Sequence, residues 1–234
     1  MATPTLVRSV VSAAVVGAVA AGIAGYAVFA AWFTSKQTPA ALSAMLRPFD
    51  VVAKPEGVGP FPTAVLFPGC GGDWAQQRGW AWFLAAHGYA AVAVDSLSPR
   101  RIDGAGALRT VCKGRRLWGR ERAGDVAVSL ADVRAMPFGD PHRIVLMGWS
   151  QGAWSIMDLL ALDAAGRRPT NLTATPLGGL DGIAGLVFFY PYCGFGSLAA
   201  GVGWRFDAPV LLLLAGRDTV AALPPTLELA RLLQ

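Results

Sequence analysis

The sequence has little histidine, little cysteine and little charge. Its 234 residues hold two histidines, His87 and His142, and three cysteines, Cys70, Cys112 and Cys193. No C-x-x-C pair is present and histidine is scarce, so a zinc site is not expected, and no metal or cofactor is read from the chain. Charged residues make up 15%, against about 25% in an ordinary soluble domain. The net charge of +5 is modest, and basic residues are not interleaved with aromatic ones, so no nucleic-acid partner is expected.

The shortage of charge has an address. Residues 10–33, VVSAAVVGAVAAGIAGYAVFAAWF, contain no charged side chain. As a helix this run would be about 36 Å long, enough for a hydrocarbon core of roughly 30 Å. Three readings stand: an uncleaved membrane anchor, a secretory signal cleaved near the small residues Ala27 and Ala30, and a buried soluble helix. The run exceeds the h-region of a signal peptide, which favours the anchor. Either membrane reading places the following domain on the extracytoplasmic side, anchored or secreted. Residues 1–35 are thus the targeting or anchoring segment, 36–48 a tether, and 49–234 the folded domain.

Beyond the tether, short apolar runs alternate with amphipathic ones. The strand candidates are 63–68, 89–95, 143–149, 183–190 and 208–216, and helix candidates lie near 74–87, 122–136, 151–165 and 223–233. Continuous apolar strands alternating with helices imply an α/β fold with a mostly parallel, doubly wound sheet. Such sheets place chemistry at the C-terminal ends of their strands.

Gly148-Trp149-Ser150-Gln151-Gly152 fits G-x-S-x-G, with a strand candidate before it and a helix candidate after. A sharp strand-to-helix turn needs small residues on either side of the serine and lifts its hydroxyl above the sheet edge. A plain Gly-Ser turn is the alternative. A serine of this kind needs a neighbouring base, usually histidine. His142 precedes the strand that leads to Ser150, roughly 20 Å away at ~3.3 Å per residue. His87 stands just before another strand, at the same far edge. Neither reaches the serine.

The segments FPGCGGDW (67–74), GYAAVAVDSLSPR (88–100), PHRIVLMGWSQG (141–152), FFYPYCG (188–194) and LLLLAGRD (211–218) together resemble the dienelactone hydrolase-like α/β-hydrolases, in their serine-nucleophile branch. The resemblance implies the α/β-hydrolase fold and cleavage of an ester or lactone without a cofactor, with Ser150 as nucleophile and Asp218 orienting a histidine. It implies an oxyanion hole from the backbone N–H groups of Cys70 or Gly71 and of Gln151. Relatives often carry His-Gly where this chain has Pro68-Gly69, and Pro68 removes one amide there. An arginine that holds a substrate carboxylate in true dienelactone hydrolases points to Arg100, within a run of eight basic residues between 100 and 122. A solvated or lipid-facing charged loop is the alternative.

In the family the catalytic histidine follows Asp218 after one more strand, and only sixteen residues follow Asp218 here. The expectation is a C-terminally incomplete hydrolase lacking the last strand and helix, with the catalytic histidine missing. The alternative is a non-catalytic α/β-hydrolase-like protein that binds a small molecule or a partner in the same cleft. Cys112 in the basic loop and Cys193 after the fourth strand candidate share one sheet edge, so any disulfide is expected to join them. Three free thiols are the alternative.

Overall fold

In a computed structural model, the described residues are 36–233 apart from Asp73 and Gly201, together with Gly17 and Gly22. The apolar run 10–33 therefore lies almost wholly outside the described residues. Among these, no helix is long and apolar enough to cross a membrane. Residues 1–35 and 36–234 form two separate units.

The second unit is a six-stranded sheet in the order β1-β3-β2-β4-β5-β6. The strands are β1 (Val51–Ala53), β2 (Phe61–Phe67), β3 (Ala90–Ala93), β4 (Gly139–Trp149), β5 (Ile183–Phe189) and β6 (Val210–Leu213). Only β1 runs antiparallel, against β3. Central β4 pairs Val145 through Trp149 with Gly185 through Phe189 of β5, and Thr63 through Phe67 of β2 lie on its other side. These runs are apolar because helices cover both faces of the central strands.

One face carries the larger core. Here α4 (Gly119–Arg134) and α5 (Gln151–Ala164) pack on Val65, Phe67, Leu146 and Phe188, with Leu229 of α6 (Leu223–Leu232) beside them. The other face is closed by α2 (Trp74–Ala86), whose Ala81 and Ala85 sit on Leu66, Ala93 and Trp149. The stretch 36–48 is more than a tether. It carries α1 (Pro39–Leu46), with Leu42 and Leu46 buried and the Ser43 hydroxyl donating to Asp132 at 2.8 Å. Apolar residues at 42 and 46, one helical turn apart, are what dock it. A short helix, α3 (Gly104–Thr110), leads the basic loop and packs Ala107 beside Leu97, Ile102, Val111 and Leu117.

Asp158 of α5 is wholly buried, its carboxylate accepting from the Leu198 N–H at 2.7 Å. Burial pushes its carboxyl up to about 7, against the lowering effect of that bond. A raised acid binds a proton in the folded state that the unfolded chain releases. Its contribution is therefore full below pH ~4 and lost as pH rises to about 7. Asp158→Asn keeps a carbonyl for Leu198 and has no proton to lose. Denaturant titrations at pH 5 and pH 8 should show the parent losing on the order of 2–3 kcal/mol more than the variant. A residual slope is expected in both, because burial also raises Asp50 to about 7.

Candidate active site

The chain leaves β4 at Trp149 and enters α5 at Gln151, so one residue makes the whole turn. That residue, Ser150, has φ 49° and ψ −111°. A positive φ is strained for a side chain larger than glycine, and such strain persists only where its surroundings impose it. Here the glycines impose it. A Cβ on Gly148 would lie 2.6 Å from the Ala153 nitrogen, and one on Gly152 would run into the Phe67 and Pro68 carbonyls. The Ser150 N–H donates to the Phe189 carbonyl at 2.9 Å, tying the turn to the end of β5. Ser150 itself is half-buried, at the N-terminus of a fourteen-residue helix whose dipole favours negative charge.

The loop after β2 stands beside the serine. A Cβ on Gly69 would lie 3.6 Å from that of Ser150, and the Gly72 N–H closes a turn on the Gly69 carbonyl at 3.1 Å. Cys70 in this loop is half-buried and Gly71 exposed. The disulfide joins Cys70 to Cys112, with Cα atoms 5.1 Å apart. The expected Cys112–Cys193 bridge is thus corrected. Cys193 is a free thiol in the larger core, beneath α6 and near Thr226, where burial pushes its thiol up. A shared sheet edge was the right criterion for Cys112, but the β2 loop reaches it first.

Arg100 is corrected as well. Its guanidinium makes a two-pronged ion pair with Asp125 at 2.8 and 2.9 Å and donates to the Ser96 carbonyl at 2.7 Å. Asp125 is fully buried. The arginine faces inward to neutralise a core carboxylate and is not a free substrate clamp. Five others of the basic run, Arg101, Arg109, Lys113, Arg115 and Arg116, are exposed, and Arg120 lies 4.7 Å above the Trp118 ring.

The eighth, Arg122, is 1% exposed, and sequence reasoning assigned it nothing. Its Nη1 donates to the Pro68 carbonyl at 2.7 Å and to Oε1 of Gln151, and its Nε to the Ser96 hydroxyl at 2.9 Å. Gln151 Nε2 in turn donates to the Leu117 carbonyl. Burial pulls the guanidinium down to about 10, so it remains a cation at neutral pH. The available signal was spacing: 122, 126, 130 and 133 lie on the apolar side of α4.

Asp218 follows β6, which is parallel to β5, so it lies at the same sheet edge as Ser150. Its Oδ1 accepts from the N–H groups of Val220 and Ala221 at 2.7 and 2.8 Å, a local turn ahead of α6. His142 lies within β4, eight residues before Ser150, its N–H bonded to Asp140. His87 follows α2 and precedes β3, its Nδ1 2.7 Å from the Phe83 carbonyl. Both belong to the N-terminal edge of the parallel strands, away from the serine. Trp149 and Trp154 are core: Trp149 stacks on Phe189 at 4.7 Å, and Trp154 packs against Tyr192 at 5.0 Å.

No protein-family model and no curated protein matches the chain. Solved structures do. A Klebsiella pneumoniae protein assigned to the dienelactone hydrolases superposes with a TM-score of 0.55 at 19% identity, over 79% of this chain and 73% of that one. Thermogutta terrifontis esterase 2, phosphoramylated by tabun, superposes with a TM-score of 0.56 at 16% identity, over 78% of this chain and 72% of the esterase. The chain therefore has the α/β-hydrolase fold that its dienelactone hydrolase-like segments imply, with Ser150 at the turn between β4 and α5.

Proposed function

We propose that the chain is an ester or lactone hydrolase of the dienelactone hydrolase type, acting through an acyl-enzyme on Ser150. The observation that carries this reading is the strained backbone of Ser150 between two glycines that admit no side chain. In the proposed reaction, Ser150 Oγ attacks the substrate carbonyl carbon and gives its proton to a base. The resulting oxyanion is held by the N–H groups of Gln151 and of Cys70 or Gly71. Collapse expels the alcohol, which takes the proton, and water then cleaves the acyl-serine by the same steps.

The base is a histidine oriented by Asp218. Because His87 and His142 stand at the far edge, we place it outside these 234 residues. That same placement favours the second reading, a non-catalytic protein that binds a small molecule or a partner in the cleft. The Cys70–Cys112 disulfide supports an oxidising compartment, and with it an extracytoplasmic domain.

A fluorophosphonate probe, with imidazole supplied as a diffusible base, tests the reading. Labelling on Ser150 by mass spectrometry, absent in Ser150→Ala, is the expected result. A folded chain that takes no label with or without imidazole is the binding protein instead. Labelling that needs no imidazole would put a base within the chain and overturn its placement outside. On intact cells, a membrane-impermeant form of the probe reads which side of the membrane the domain occupies.

A further inference from the structure

Arg122 occupies a costly place. It sits on the inward side of α4, and its Nη2 is buried with no partner among the described residues. An apolar side chain would pack there without stripping water from a charge. What the guanidinium does instead is join two segments that flank Ser150. One is the loop after β2, gripped at the Pro68 carbonyl. The other is the first residue of α5, gripped at the Gln151 side chain. The bond to the Ser96 hydroxyl fixes the plane of the fork.

The peptide group is rigid, so fixing the Pro68 carbonyl fixes the plane that leads into Gly69, one residue before the Cys70 amide. The Cys70–Cys112 disulfide secures the same loop two residues on. The Gly69–Gly72 turn closes the loop on itself, and Arg122 ties its Pro68 end to α5. The opposite side is tied through Gln151 Nε2 to the carbonyl of Leu117, a residue held at φ 51°. One planar cation thus bridges the two segments that carry the proposed oxyanion donors.

We propose that Arg122 is a positioning residue, holding the loop at 68–71 and the start of α5 at the separation an oxyanion requires. The inference rests on the serine-hydrolase reading of Ser150. Arg122 touches no reacting atom. Its fork shape matters as well as its charge, because a lysine ammonium cannot span the carbonyl, the hydroxyl and the amide oxygen in one plane.

The test measures the maximal phosphonylation rate and the half-saturating probe concentration, with imidazole, in the parent, Arg122→Met, Arg122→Lys and Gln151→Met. Unfolding midpoints are read alongside. Arg122→Met is expected to slow phosphonylation about 10- to 100-fold with half-saturation unchanged within about twofold, since misplaced oxyanion donors act on the transition state. Arg122→Lys should fall by a similar factor, whereas a role in charge alone would be rescued by lysine. Gln151→Met removes one arm and keeps its backbone N–H, so a smaller loss of about 3- to 10-fold is expected. It carries the test if Arg122→Met does not fold. Folded variants that label within twofold of the parent would overturn the inference and leave Arg122 as packing. A parent that takes no label at all fails earlier, and sinks the hydrolase reading together with this one.

Discussion

Gly152→Ala should slow probe labelling of Ser150 on the order of a hundredfold and destabilise the chain by about 3 kcal/mol, through one added methyl group. The methyl would point at the backbone of Phe67 and Pro68, which cannot turn aside as a flexible side chain would. Relief requires α5 to shift outward from β2, and almost every residue of α5 is buried. A shift of α5 also moves the Gln151 amide relative to the β2 loop. Even a displacement of ~1 Å at a reacting centre costs on the order of a hundredfold in rate. Stability and labelling should therefore fall together in Gly152→Ala, and circular dichroism melts with probe kinetics on the folded fraction would show it. Gly71→Ala is the comparison: nothing lies within 4 Å of its Cβ position, and its stability should match the parent closely. If Gly152→Ala folded and labelled like the parent, the strained turn at Ser150 would have no catalytic role.

The elements that announce themselves by pattern were legible in the sequence. Continuous apolar runs marked β2 to β6, and G-x-S-x-G between a strand and a helix marked the turn at Ser150. What was illegible depended on which direction a side chain faces. The basic run between 100 and 122 reads as one charged loop, yet Arg100 and Arg122 point inward while Arg115 and Arg116 point to solvent. Counting charges cannot separate them, because the difference arises from the helical phase of α4 and from the buried Asp125 that Arg100 must meet. The cysteine pairing failed for a related reason. Three thiols near one edge leave the choice to loop paths, and the path of the Pro68–Gly72 loop is set by Arg122 and by the Gly69–Gly72 turn. Helix α1 is hard to read from the sequence because two buried leucines one turn apart, Leu42 and Leu46, are a short signal inside a stretch that otherwise reads as a linker.

Arg100→Met is expected to cost about 3–5 kcal/mol of folding stability, because it strands the Asp125 carboxylate in the core without its partner. Asp125 has no exposure, and its two oxygens both bond Arg100. An arginine waiting for a substrate carboxylate would behave in the opposite way: its loss would spare stability and weaken binding of anionic esters alone. The two roles separate cleanly in measurement. Urea titration should show the large destabilisation, and labelling of the remaining folded protein should slow equally for neutral and anionic probes. The double variant Arg100→Met/Asp125→Leu should recover much of the loss, since replacing a buried pair by apolar residues removes the stranded charge along with its partner. Recovery would also show that the pair is dispensable for the fold, with the Arg122 fork left intact on its own partners Pro68, Ser96 and Gln151. A single variant that stayed as stable as the parent and discriminated only against anionic probes would return Arg100 to the substrate.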